Sequence, residues 1–183
     1  MRICFTGHRF DKLGGGYDWN SKINLEIRNN LDRVLQTIID KYKNEKFHFI
    51  TGGALGFDQF ATDSVIKLKN NNTDRDITLE IAIPFESQCK LWNKRDTDVY
   101  NEQLKLADKV TYVDTLEKYK IYGQEEGVYY SSKLDKRNHY MVDNSDMVIA
   151  YFNNIRGGTY NCIKYANKNN KKVLNINKMK KEI

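Results

Sequence analysis

The chain has 183 residues, enough for one domain with a full core, and 30 Lys and Arg stand against 24 Asp and Glu, a formal net charge of +6. Hydrophobic residues are 40% and charged residues 30%, a globular balance that excludes a disordered chain. No run reaches the ~18 apolar residues of a membrane span, and the apolar run in MRICFTGHRF is too short for the core of a signal peptide. Met1 is therefore read as the mature start and the cytoplasm as the compartment.

Cys4, Cys89 and Cys162 are odd in number and form no CxxC pair, which argues against a disulfide framework. His8, His48 and His139 are scattered without metal-ligand spacing, so no metal is expected. Lys168, Lys171, Lys172, Lys178, Lys180 and Lys181 form a basic tail, read as solvated surface ahead of a nucleic-acid patch. A basic chain still attracts phosphates.

The elements alternate. A short β-prone run at 2–6 is followed by a helical stripe over 21–42, with apolar residues at Ile23, Ile27, Leu31, Val34, Leu35 and Ile38. A strand at 47–51 precedes a helix marked by Phe57, Phe60, Ala61, Val65 and Leu68. A strand at 77–83 stops at Pro84, the one proline. A third helix runs over Trp92, Val99, Tyr100, Leu104 and Ala107, then a strand over 109–113. Residues 114–135 have no clean period and are read as a lid, a contact segment or an irregular excursion. A short helix over 136–144, a strand at 147–152, a helix over Thr159–Ala166 and a strand at 172–176 complete the pattern. Such alternation implies right-handed crossovers and a Rossmann-like three-layer α/β sandwich around a mainly parallel sheet, with no linker inside 1–183.

Ligands of such sheets bind outside the carboxyl ends of the strands. Four predicted strand ends carry unusual residues: Thr6-Gly7-His8-Arg9, Thr51-Gly52-Gly53-Ala54, Pro84-Phe85-Glu86-Ser87-Gln88 and Arg156-Gly157-Gly158-Thr159. A Gly-rich turn entering a helix lets backbone N–H groups and the helix dipole meet a phosphate. Thr51 and Thr159 supply hydroxyl donors, and Arg9 and Arg156 supply guanidinium groups. GxxxxGK[ST] and GxGxxG are both absent, so neither a P-loop nor a standard dinucleotide site is supported. His8 serves as a phosphate contact or general acid/base, or else fixes its loop. Asp58 falls in a helix's first turn, where a carboxylate suits the dipole; Glu86 is a base, a ribose acceptor or solvent-exposed. Trp92 is read as packing, and Gln88, one turn earlier, as within reach of a ligand. Arg137 and Asn138 face a phosphate or a neighbouring subunit. Asp143 and Asp146 cap or orient local backbone.

The runs CFTGHR (4–9), GGALGFD (52–58), AIPFESQ (82–88), KRNHYMVDNSDMVIAYF (136–152) and GGTYNCIKYA (157–166) together resemble the YpsA-like branch of the SLOG superfamily, which includes DprA and the LOG enzymes. The resemblance spans nearly the whole chain and implies a Rossmann-like sheet with its pocket at the loops named above. LOG enzymes carry PGGxGTxxE; here Arg156-Gly157-Gly158-Thr159-Tyr160-Asn161-Cys162 keeps the glycines and threonine but not the proline, spacing or glutamate. That leaves Glu86, Asp58 and Asp143 as the carboxylates able to replace it. The GGALGFD loop is similar to SGxARGID of DprA, with Leu55 in the place of the arginine.

Three functions are consistent with these residues. The favoured one is binding or sensing, without turnover, of a nucleotide-derived ligand, ADP-ribose-like molecules included. Its phosphate would sit on Gly52, Gly53, Gly157, Gly158 and Thr159, and its base or ribose near Phe85, Gln88 and the TGHR turn. The alternatives are a LOG-type N-glycosidic hydrolase and a DprA-like module for single-stranded DNA. The resemblance further implies a homo-oligomer, with the Tyr-rich 119–130 region as a contact.

Overall fold

A computed structural model describes residues 1–178 of the chain; Lys180 and Lys181 of the basic tail lie outside them. Six strands form one sheet: β1 (Arg2–Gly7), β2 (Phe47–Thr51), β3 (Ile77–Ile83), β4 (Lys109–Tyr112), β5 (Met147–Tyr151) and β6 (Lys172–Asn175). Their spatial order is β4-β3-β2-β1-β5-β6, and every pairing is parallel. The helices are α1 (Phe10–Leu13), α2 (Lys22–Lys41), α3 (Phe57–Asn71), α4 (Lys94–Leu106), α5 (Ser131–Asp143) and α6 (Gly158–Lys168).

Strand side chains alternate between faces. Ile3, Phe5, Phe47, Phe49 and Leu79 meet Ile27, Leu31 and Leu35 of α2 and Phe60 and Val65 of α3. Ile81 and Ile83 extend that face to Tyr100 of α4. Cys4, Ile50, Ala82 and Val148 point the other way, against Met141 and Val142 of α5 and Cys162 and Ala166 of α6. The result is a Rossmann-like three-layer α/β fold. Two helices start where the sequence supplies a cap: Ser21 accepts the Asn24 N–H at 3.3 Å and Asn93 accepts the Asp96 N–H at 2.9 Å. α3 starts differently. Gly56 has φ +94°, and a Cβ there would stand 2.6 Å from the His8 carbonyl oxygen. That glycine lets α3 enter beneath the turn that leaves β1.

α5 departs from the sequence reading. It begins at Ser131 rather than 136, so the irregular stretch is shorter than 114–135. Its first residue follows Tyr130, which supplies no side-chain cap. Its inward face carries polar anchors beside the apolar Met141 and Val142. Lys133, 2% exposed, donates to Asp114 Oδ2 at 2.8 Å and to the carbonyls of Glu125 and Val128 at 2.6 and 3.1 Å. The Gly127 N–H donates to the same Asp114 oxygen at 2.8 Å, and Ser87 donates to the Gly127 carbonyl. Tyr140 donates to Glu80, buried in β3, which also accepts from Thr111 and pairs with His48. Burial pushes the Glu80 carboxyl up, but His48, Tyr140, Thr111 and Lys109 together hold it down at about 2.

Removing one partner of a buried ion pair leaves the other charge stranded, at a cost of about 3–5 kcal/mol. Lys133→Met is expected to destabilise the fold by that order in urea unfolding and to open residues 116–130 to limited proteolysis. Adding Asp114→Leu to it should restore part of the loss. An unchanged unfolding midpoint and an unchanged cleavage pattern would show that this pair does not fasten the excursion.

Candidate functional site

From β1 the chain winds through β2 and β3 to β4 on one side, then returns to place β5 and β6 on the other. Strand order therefore reverses between β1 and β5, where the loops leaving the two strands diverge and open a crevice. A cleft of about 350 Å³ occupies that point. The end of β1 and α1 contribute Thr6, Gly7, His8, Arg9, Asp11 and Lys12; the entry of α3 gives Ala54 and Asp58. α5 gives Leu134, Arg137 and Asn138, and the start of α6 gives Arg156 to Thr159.

The α6 end of the cleft combines a helix start without a side-chain cap and several cations. α6 has eleven residues and its N-cap, Gly157, provides no side-chain acceptor, so its first N–H groups lack a cap. Gly157 and Gly158 are exposed, and a Cβ on Gly158 would meet nothing within 4 Å, so the space beside this turn is open. Lys12 Nζ lies 4.0 Å from where a Cβ of Gly157 would stand. Among the described residues Arg9, Lys12 and Arg156 take part in no ion pair, whereas Arg137 does.

Arg137 forms the inner wall. Its side chain is 8% exposed, and Nη1 lies 3.4 Å from Asp58 Oδ2, itself on a side chain 7% exposed. The buried Nε has no acceptor among the described residues. Burial pushes the Asp58 carboxyl above its ordinary value, against the opposing pull of Arg137, the Ala54 N–H and Arg9. Gly52 lies directly beneath: a Cβ there would stand 1.5 Å from Arg137 Nη1. The guanidinium thus requires glycine at 52.

The cleft brings together Thr6, Gly7, His8, Arg9, Ala54, Asp58, Arg156, Gly157, Gly158 and Thr159 from the sequence candidates, with Arg137 and Asn138 facing the same space. Other candidates lie elsewhere. Thr51 is fully buried, its hydroxyl 2.9 Å from that of Thr62. Gly52 and Gly53 are buried, so the two Gly-Gly turns do not both present amides to the cleft; Gly53 packs near Ile81, Tyr100 and Gln88. Gln88 donates to the Gly53 carbonyl at 3.1 Å. Phe85 is 2% exposed and meets Tyr129 edge-on. Glu86 lies at the surface beside Gly127. Asp143 accepts from Lys118, Tyr119 and Tyr165, away from the cleft. Asp146 orients backbone, accepting the Arg2 N–H at 2.6 Å, and Trp92 packs on Tyr100. Asp11, Lys12 and Leu134 were not legible as site residues. α1 is only four residues long and leaves no periodic signal, although Lys12 sits one helical turn beyond the TGHR run.

The profile of YpsA, described as the YspA SLOG family, matches residues 3–181. The chain belongs to that family. It is 38% identical over 144 residues to the SPbeta prophage-derived protein YoqJ of Bacillus subtilis (strain 168), covering 79% of this chain and 82% of YoqJ. It is 26% identical over 157 residues to the UPF0398 protein BH1768 of Halalkalibacterium halodurans, covering 86% and 75%. Among solved structures this SLOG chain shares its fold with TM1055, at a TM-score of 0.53 and 15% identity, over 94% of this chain and 71% of that one. It also shares it with DNA processing protein A of Helicobacter pylori, whose structure describes a single-stranded DNA binding mode, at a TM-score of 0.58 and 14% identity. The match covers 94% of this chain but 63% of that one.

In this SLOG cleft His8 is 5% exposed, and its Nε2 accepts the Asn153 N–H at 3.2 Å. An accepting Nε2 leaves the proton of a neutral ring on Nδ1. Burial, opposed by the Asn153 side chain and reinforced by Lys12, pushes its pKa below the usual value of 6.5. The unfolded chain therefore takes up this proton first as pH falls, and this contribution to stability, full above about 6.5, is lost towards the lower folded value. Long-range ¹⁵N–¹H correlation at neutral pH should show His8 as the Nδ1–H tautomer, titrating below 6.5. A midpoint at or above 6.5, or an Nε2–H tautomer, would contradict this arrangement.

Proposed function

We propose that this chain binds a nucleotide-type ligand through its phosphate at the crevice between β1 and β5. One observation carries the reading. The uncapped N-terminus of α6 shares a cleft with three cations that, among the described residues, take part in no ion pair, Arg9, Lys12 and Arg156, and with the buried Arg137, whose Nε has no acceptor among the same residues. Against these stand two carboxylates, Asp11 and Asp58, and Asp58 is engaged by Arg137. An anion arriving there meets backbone amides, a helix dipole and guanidinium forks at once.

Binding without turnover is the reading the carboxylates favour. Glu86 and Asp143 lie outside the cleft, and Asp58 is held by its partners. A LOG-type hydrolysis would have to run through Asp58 or Asp11. The fold shared with DNA processing protein A makes a single strand the natural comparison ligand.

The test is calorimetry with inorganic pyrophosphate, AMP, ADP, ADP-ribose and oligo(dT), together with an assay for released base. Wild type should bind at least one of the phosphate compounds without releasing base. The exposed-site double variant Lys12→Gln/Arg156→Gln should keep its unfolding midpoint and lose about tenfold or more in affinity, since charge-assisted bonds carry about 1.5–3 kcal/mol each. Binding of phosphate compounds that is equal in the variant, or absent from wild type at millimolar concentration, would overturn the proposal.

A further inference from the structure

The cleft continues past the start of α6. Asn138 lines it and also lines a groove of about 400 Å³ between α5 and α6. Asn161, Lys164, Tyr165 and Lys168 of α6 form one wall of that groove, and Asp135 and His139 of α5 the other. The His139 ring lies on the Tyr165 ring, with centroids 3.8 Å apart and planes 21° from parallel. Tyr165 is held in place by its hydroxyl, which donates to Asp143 Oδ1 at 2.9 Å. Asn138 donates to the Gly158 carbonyl at 3.4 Å, which ties the junction of cleft and groove to the first turn of α6. Asn161 is exposed, and Lys164 and Lys168 form no ion pair among the described residues.

The distances along α6 fit one extended small ligand. At 1.5 Å per residue, Asn161 and Tyr165 lie about 5 and 10 Å along the axis from Gly158. A group attached to a phosphate at the α6 N-terminus would therefore reach the ring pair within the length of a single nucleotide. Phe85 and Gln88, expected from the sequence beside the base, are shut behind Tyr129 and the Gly53 carbonyl. The groove is a neighbouring space that combines a stacked ring pair, the exposed Asn161 amide and two lysines unpaired among the described residues.

We infer that this groove receives the planar heteroaromatic base of the ligand whose phosphate the cleft holds. The base stacks on the His139–Tyr165 pair, and the Asn161 amide, with one donor and one acceptor end, meets its edge. The subsite rests on the phosphate reading above and adds to it where base selection takes place. A purine offers the larger face and should be preferred to a pyrimidine.

Calorimetry with AMP, CMP and ribose 5-phosphate separates the two ideas. Wild type should bind AMP about tenfold more tightly than ribose 5-phosphate, with CMP between them, the scale expected of one stacked base. His139→Ala and Asn161→Ala replace partly or fully exposed side chains, so the fold should stand. Each should lower AMP affinity severalfold and leave ribose 5-phosphate affinity unchanged, whereas Tyr165→Phe, which keeps the ring, should retain AMP binding. Equal binding of AMP and ribose 5-phosphate by wild type would overturn the subsite and leave the phosphate site standing. So would AMP affinity unmoved in both alanine variants. If those variants instead changed self-association in sedimentation velocity with AMP affinity unmoved, the groove would belong to a second copy of the chain. If wild type bound neither compound, the subsite would fail, and if pyrophosphate, ADP and ADP-ribose also failed to bind, the phosphate reading would fail with it.

Discussion

The contact between Arg137 and Asp58 sets the geometry of the crevice. It joins α5 to the entry of α3 across the exit of β2, and the guanidinium rests on Gly52, where a Cβ has no room. A buried charge pair is a poor source of net stability, because desolvation of both ions offsets most of their attraction. Its worth lies in position. The pair holds a cation at the inner wall of the cleft while Nε remains without an acceptor among the described residues.

The same helix repeats the device. Lys133, Arg137 and Tyr140 fall at i, i+4 and i+7 and so share one face of α5. Each reaches a buried carboxylate: Asp114 after β4, Asp58 at the start of α3 and Glu80 within β3. α5 is thus fastened to three separate parts of the sheet layer by polar anchors, beside the apolar contacts of Met141 and Val142. Its position fixes both the excursion over 116–130 and the wall of the cleft, so the architecture and the site share one set of constraints.

This also explains what was legible in the sequence. β1, β2, β3 and α2, α3 and α6 announce themselves by apolar period, α2 with its Ser21 cap as well, and they stand close to the stretches expected. The start of α5 does not, because its inward positions are Lys and Arg, whose partners lie 19 and 79 residues away. The two Gly-Gly turns look alike as sequence and differ in structure for the same reason. Gly157 and Gly158 face open space at a helix start, whereas Gly52 is a glycine because a distant arginine lies on it. Turn chemistry reads locally; close approach of a remote side chain does not. Lys12 carries no such signal, because a four-residue helix has no period.

The most direct measurement is a crystal structure of the protein grown with AMP. The account predicts the phosphate within hydrogen-bond distance of the first amides of α6, Arg137 still on Asp58, and Lys12 or Arg156 drawn onto the anion. A phosphate bound away from β1 and β5, or a cleft left empty while Arg9, Lys12 and Arg156 turn to protein carboxylates, would contradict it.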